Sequence, residues 1–159
     1  MIRYNWSGLG SLQLGRYAEY LVKMEFTMFG FDVYASEVDD KGIDFVIRKH
    51  DDLHKDEAHY YDVQVKSSRK SASGFNYIFF QKEKFSLRAN LLAAIVLFQD
   101  GQMPMLYLIP STEWNKPNPL LRSKDYIGKK SKPEWGLNLS EKNLCLLDPF
   151  AFDKVIESL

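Results

Sequence analysis

The sequence predicts a single α/β domain. One long stretch near the N-terminus has helical periodicity, and several short β-rich runs separated by turn signals follow it. The chain has 159 residues, of which 45% are hydrophobic and 26% charged, a composition typical of a globular domain with a substantial core. We therefore expect one domain over residues 1–159.

The composition also indicates where the protein resides. Its one cysteine, Cys145, cannot form an intrachain disulfide, which favours a reducing compartment. The N-terminus lacks the basic-then-apolar pattern of a signal peptide, and no apolar run approaches the roughly 18 residues that a membrane span needs. We expect a cytoplasmic protein that has no membrane partner.

The first predicted element is a helix over residues 11–29, with Ser11 as its N-cap and Gly30 just beyond its end. At 100° per residue a core-facing stripe spans about 80°. It contains Leu14, Ala18, Leu21, Val22 and Glu25. Glu19 lies on the border of this stripe, so its carboxylate can point to water or into a cleft between helix and sheet.

Three strands are predicted after the helix, over residues 31–38, 43–49 and 58–66. The acidic turn at 39–42 and the strongly polar loop at 50–57 connect them. The second and third strands would form an antiparallel hairpin through that loop.

The second half of the chain contains one strong turn signal, Asp100-Gly101 between two apolar runs. In order, we expect an edge strand (76–80), a helix (about 82–92), a hairpin (93–98 and 105–109), a brief helical start (110–114), a long ordered loop or arm (115–140), a strand (144–147) and a terminal helix (149–159).

Charge is segregated although the formal net charge is zero. Between Asp32 and Asp62, ten acidic and four basic residues give −6, whereas between Lys66 and Lys132, twelve basic and four acidic residues give +8. A site that binds both a metal cation and a polyanion would need such neighbouring segments, although ordinary solvated faces would also produce them.

The predicted hairpin brings polar side chains together. It places Asp44 opposite Gln64 and Lys66, which share one face of the sheet because they are two residues apart. A carboxylate and an amide oxygen are hard ligands suited to Mg2+ or Mn2+. A lysine beside them can neutralise an attacked phosphate or position the attacking water.

These residues resemble a family. Asp44, followed by Gln64-Val65-Lys66 on the next strand and preceded by Glu19 on a helix, is similar to the PD-(D/E)XK nuclease superfamily, in particular its Q-x-K variants such as Mrr-type endonucleases and uncharacterised bacterial nuclease-like domains. The resemblance implies a restriction-endonuclease-like αβββαβ core at about 11–110, with a mixed central sheet flanked by helices. An irregular C-terminal arm and a terminal helix would form an extension at 111–159.

The same resemblance assigns roles to four residues. Glu19, Asp44 and Gln64 would hold the metal ion, and Lys66 would be the catalytic lysine. The sequence departs from the family pattern at Gly42-Ile43, where the motif has proline before aspartate, and at Gln64, which supplies no negative charge.

Each of these residues has a structural alternative. Asp44 could begin a strand after a turn, and Gln64 and Lys66 could be polar positions on a half-exposed strand. Glu19 could pair with Lys23 one turn later.

Ser67, Ser68, Arg69 and Lys70 follow Lys66 in a predicted Ser/Gly/basic loop. Their hydroxyl groups and cations could hold nucleic-acid phosphates without reading sequence, or the loop could simply be solvated.

We expect an Mg2+- or Mn2+-dependent endonuclease that hydrolyses DNA through a metal-activated water. A catalytically inactive nucleic-acid-binding or interaction module with the same fold is the alternative. The resemblance also implies a possible homodimer, and the small size of the chain leaves room for a partner protein that supplies specificity.

Overall fold

The computed structural model describes residues 3–38, 41–49 and 58–159. Over these residues the fold is α/β, as predicted: a mixed five-stranded sheet carries two helices on one face and a three-stranded antiparallel sheet on the other. The elements are α1 (Ser11–Met28), β1 (Phe31–Ala35), β2 (Phe45–Lys49), β3 (Tyr60–Arg69), β4 (Ile78–Gln81), β5 (Leu91–Phe98), β6 (Met105–Pro110), β7 (Leu121–Lys124), β8 (Glu134–Leu137) and α2 (Phe152–Ile156). Three 3-10 helices span Trp6–Gly8, Ser111–Asn115 and Glu141–Phe150.

The large sheet has the order β1-β2-β3-β5-β6. Strands β3 and β5 are parallel, and the other neighbouring pairs are antiparallel. The small sheet has the order β4-β8-β7. The antiparallel pairing of β2 with β3 that the sequence predicted is confirmed, while the connecting residues 50–57 and the turn residues 39 and 40 lie outside the described part of the chain.

Strand β5 separates two hydrophobic cores. All eight of its side chains are buried, and they alternate between the cores as the two-residue period of a strand requires. Leu92, Ala94, Val96 and Phe98 pack with α1 and α2 on one side, and Leu91, Ala93, Ile95 and Leu97 pack under the small sheet on the other. The uniformly apolar run is therefore explained by burial on both faces.

Helix α1 begins and ends close to the predicted bounds. Its N-cap is Gly10 instead of the predicted Ser11, and the Gln13 side chain accepts a hydrogen bond from the Gly10 N–H (2.8 Å). Gly30 follows the helix with φ of 82°, a left-handed conformation that glycine adopts without strain. The buried face of the helix consists of Leu14, Ala18, Val22 and Phe26.

The helix predicted at 82–92 is wrong. The chain turns after β4, where the Gln81 carbonyl accepts hydrogen bonds from the N–H groups of Lys84 and Phe85 (both 3.0 Å), and a segment without a helix or strand leads from there to β5. Phe85 is fully buried and stacks on Phe80 with ring centroids 4.3 Å apart. The Ser111 hydroxyl bonds both backbone groups of Arg88, so tertiary contacts override the local helix propensity.

The C-terminal region is more regular than the sequence suggested. Residues 115–140, predicted as a loop or arm, contain β7 and β8, and β8 pairs with β4. The strand predicted at 144–147 is wrong, because this segment lies within a 3-10 helix. The terminal helix is confirmed in a shorter form, as α2. No helix in the described ranges is both long and apolar enough to cross a membrane.

Candidate active-site cleft

Strand β3 separates its side chains between the two layers of the fold. Val63 and Val65 pack in the core beneath α1. Gln64 and Lys66 alternate with them and project to the opposite face, as the sequence predicted. The two polar residues therefore lie between the sheets.

A cleft of about 350 Å³ lies at this position. One wall is formed by β3 and the other by β4 and the turn that follows it. The lining residues are Gly42, Gln64, Lys66, Phe79, Phe80, Gln81 and Lys84.

The side-chain oxygen of Gln64 has an unusual environment. Gln64 Oε1 is buried and accepts no hydrogen bond from the described residues. Buried amide oxygens almost always have a partner, because desolvation without one is costly. An oxygen in this state at a cleft wall is suited to accept a bond from a ligand or to coordinate a cation.

Gly42 brings the loop before β2 close to this amide. Its φ of 73° lies in the left-handed region, where a side chain would be strained. A Cβ at this position would be 3.5 Å from Gln64 Nε2 and 3.5 Å from Lys84 Cβ. Glycine thus allows the loop to form one side of the cleft.

Asp44 lies where the β2–β3 ladder ends. Its N–H donates to the Val63 carbonyl (2.9 Å), and its carboxylate Oδ2 accepts the Val65 N–H (2.6 Å). Phe45 is paired with Val63, so extending the register by one residue sets Asp44 opposite Gln64. This is the neighbour relationship that the predicted hairpin required.

Glu19 is separated from these residues by the sheet. It lies on α1, next to the buried Ala18, whereas Gln64 and Lys66 project from the other face. Its carboxylate accepts a hydrogen bond from Arg16 Nη1 (2.9 Å). Glu19 therefore pairs with Arg16, whereas the sequence offered Lys23 as its partner.

The described ranges contain no cluster of three His, Cys, Asp or Glu side chains that could hold a metal ion. The predicted ligand set has two carboxylates, Asp44 and Glu19, and one amide, that of Gln64. Because one of its three ligands is an amide, this set is not a cluster of that kind, and the assignment of the metal ligands remains a prediction.

Ser67, Ser68 and Arg69 belong to β3 and not to the predicted loop. The buried Ser68 hydroxyl accepts the Asn76 N–H (2.9 Å). Arg69 Nη1 donates to the carbonyls of Trp6 (3.0 Å) and Leu9 (2.9 Å), which ties down the N-terminal segment. These contacts give two of the four residues structural roles, and their binding to nucleic acid stays a prediction, as it does for Ser67 and Lys70.

Sequence reasoning missed the wall of the cleft opposite β3. The sequence assigned Phe79 to an edge strand and Lys84 to a helix, and Gln81 fell between the two. The two-residue period of a strand, applied to Ile78-Phe79-Phe80-Gln81, was the available signal that Phe79 and Gln81 share a face. It was weak because β4 has four residues.

Asp62 also shares the face of Gln64, two residues before it. Its carboxylate forms an ion pair with Arg88, whose Nη1 is buried without a hydrogen-bond partner among the described residues. This pair connects the start of β3 to the segment that leads into β5.

The fold and the site together define an α/β protein that has a polar cleft between two sheets. Comparisons of the chain with protein-family models, with curated proteins and with solved structures find no match.

Proposed function

We propose that the protein is a metal-dependent phosphodiesterase that acts on DNA. The observation that carries this proposal is the buried Oε1 of Gln64, which has no hydrogen-bond partner among the described residues and lies beside Lys66 in the cleft. A neutral oxygen with an unused lone pair and an ammonium group, two residues apart on one strand face, form a pair suited to a cation and a phosphate.

The donor set fits Mg2+ or Mn2+. Asp44 and Gln64 would hold the ion with one carboxylate and one amide oxygen, both hard ligands. Glu19 is the third ligand that the resemblance implies, but it lies on the α1 side of the sheet and bonds Arg16, so the structure does not bring it to the other two. When bound, the ion lowers the pKa of a water molecule and so supplies a hydroxide nucleophile at neutral pH.

Lys66 would act on the phosphate. Its ammonium group lines the cleft and would stabilise the negative charge that develops on the phosphoryl oxygens. Lys84 lies on the opposite wall and adds a second positive charge for the nucleic-acid backbone. The excess of basic residues between Lys66 and Lys132 supports a polyanionic substrate. Action as a homodimer and a specificity partner belong to the same proposal.

The test is nicking of a supercoiled plasmid in Mg2+ or Mn2+ by the wild-type protein, Lys66→Ala and Asp44→Ala. Lys116→Ala is the matched control, because Lys116 is exposed and does not line the cleft. We expect metal-dependent nicking by the wild type and the control, and a loss of at least about 100-fold in both Lys66→Ala and Asp44→Ala, the range for removal of one group that stabilises transition-state charge. Cleavage that survives both of these substitutions contradicts the assigned site.

The second candidate function is a nucleic-acid-binding module without hydrolysis. The engagement of Glu19 with Arg16 on the other side of the sheet favours it, since only Asp44 would then bring negative charge to the ion. A wild-type protein that binds DNA but does not nick it with either metal would support this function.

A further inference from the structure

An aromatic side chain lines the cleft but remains open to solvent. Phe79 is 48% exposed, whereas Ile78 and Phe80 on either side are buried in the core beneath the small sheet. Leaving a phenylalanine ring half in water forgoes the gain of burying it. Its position in a polar cleft gives that exposure a use.

The cleft combines three kinds of group around this ring. Lys66 and Lys84 carry positive charge, one on each wall. Gln81 shares the face of Phe79 on β4 and offers an amide donor and acceptor. A planar, π-faced group next to a phosphate would satisfy all three, by stacking, by hydrogen bonding at its edge and by ion pairing.

A nucleotide whose base is unpaired has this chemistry. In a duplex both faces of a base are covered by its neighbours, so a side chain on a cleft wall cannot stack on it unless the base leaves the helix. Single-stranded nucleic acid exposes base faces, and proteins bind it with aromatic platforms beside basic grooves.

We propose that the cleft binds an unpaired nucleotide, with its base stacked on Phe79 and its flanking phosphates held by Lys66 and Lys84. This inference rests on the proposed function and names its substrate class: single-stranded nucleic acid, or a duplex with a locally unpaired base. Gln81 contacts the edge of the stacked base.

The test is equilibrium binding measured by fluorescence anisotropy, in EDTA so that no cleavage occurs and at one fixed salt concentration. The probes are fluorescein-labelled oligonucleotides of one sequence as single-stranded DNA, single-stranded RNA and duplex DNA. The proteins are the wild type, Phe79→Ala, Phe79→Trp and the control Phe29→Ala, which removes a ring of similar exposure (46%) at the end of α1.

We expect the wild type to bind a single strand more tightly than the duplex. Phe79→Ala should weaken single-strand binding by about 5- to 150-fold, the range that one stacked base contributes, and should leave duplex binding unchanged. Phe79→Trp and Phe29→Ala should bind the single strand like the wild type. The ratio of DNA to RNA affinity identifies the sugar that the cleft accepts.

Two results would overturn the inference: duplex binding as tight as single-strand binding, or Phe79→Ala bound like the wild type. Failure of the proposed function looks different. A protein that binds single strands through Phe79 but never cleaves them keeps the inference and loses the nuclease. One that nicks duplex DNA equally well without Phe79 keeps the nuclease and loses the inference.

Discussion

The carboxylate of Asp44 accepts a hydrogen bond from the Val65 N–H at 2.6 Å. This side-chain bond extends the β2–β3 ladder, in which the two strands are joined by backbone hydrogen bonds, by one more contact. The Asp44 N–H donates to Val63 in the same place. One residue therefore holds the loop before β2 against the strand that carries Gln64 and Lys66. Any role of Asp44 as a metal ligand would come in addition to this structural one.

Removing the carboxylate should lower stability. Asp44→Ala leaves the Val65 N–H without this acceptor, and the loss of a hydrogen bond to a charged group costs about 1.5–3 kcal/mol of unfolding free energy. Asp44→Asn keeps an oxygen acceptor and should lose less. Urea denaturation measures both, with Glu157→Ala as the control for removal of an exposed carboxylate. Equal midpoints for Asp44→Ala and the wild type would show that the bond contributes nothing.

Two glycine substitutions should change stability in opposite directions. A Cβ at Gly136 in β8 would lie 1.5 Å from Tyr77 Oη, so Gly136→Ala should cost about 1–3 kcal/mol through overpacking. A Cβ at Gly15 in α1 meets nothing within 4 Å, and Gly15→Ala should stabilise the helix by about 0.5–1 kcal/mol. Thermal unfolding followed by circular dichroism reads both. A stabilised Gly136→Ala would contradict the packing of Tyr77 over β8.

Local patterns were enough to predict α1 and the hairpin of β5 and β6. The helix has a long apolar stripe, and the hairpin has an Asp100-Gly101 turn between uniformly apolar strands. In both cases the local signal and the tertiary environment agree. The same holds for Gln64 and Lys66, since the two-residue period of a strand fixed their common face before the cleft was visible.

The small sheet could not be predicted, because its order comes from contacts distant in sequence. Strands β4, β7 and β8 have four residues each, too few to show a period. They are aligned by Ile78, Leu121 and Leu137, which meet in one row and pack on the core under β5. The far wall of the cleft depends on this pairing, so Phe79 and Lys84 were missed with it.

Tyr77 should make stability depend on alkaline pH. Burial, followed by the negative charge of Glu134, raises the pKa of its hydroxyl from 10.0 to about 12. In the unfolded chain the phenol loses its proton near pH 10, whereas in the folded protein it keeps it. The unfolded state then binds fewer protons, so the unfolding free energy falls as pH rises from about 10 to about 12 and is unaffected below that window.

Tyr77→Phe removes this contribution, so the fall in urea midpoint across the window should be shallower than in the wild type. It should not vanish, because burial also raises the pKa of Tyr107. If the urea midpoint of Tyr77→Phe falls with pH as steeply as that of the wild type, the Tyr77 hydroxyl is exposed to water and its pKa is not raised by burial. Spectrophotometric titration of phenolate should agree, with one fewer tyrosine ionising at the alkaline end.

Gln64 Oε1 has no hydrogen-bond partner in the part of the chain that the structure describes, so replacing it should raise stability and weaken metal binding. Gln64→Met keeps the length of the side chain and removes the buried amide, so in EDTA it should stabilise the protein, or at least not destabilise it, with a gain on the order of 1 kcal/mol. The same change removes a metal ligand. Addition of Mn2+ should therefore raise the urea midpoint of the wild type but not that of Gln64→Met.

Gln64→Glu is the complementary variant, because it adds the negative charge that the amide lacks. Because Gln64 Oε1 is buried and has no hydrogen-bond partner among the described residues, a carboxylate in its place should lower stability in EDTA. Mn2+ should restore it, with an affinity that isothermal titration calorimetry finds higher than that of the wild type, since ligand charge strengthens binding of hard cations. If neither variant alters the response to Mn2+, the oxygen of Gln64 does not bind the ion. That result would favour the alternative function, a nucleic-acid-binding module without hydrolysis.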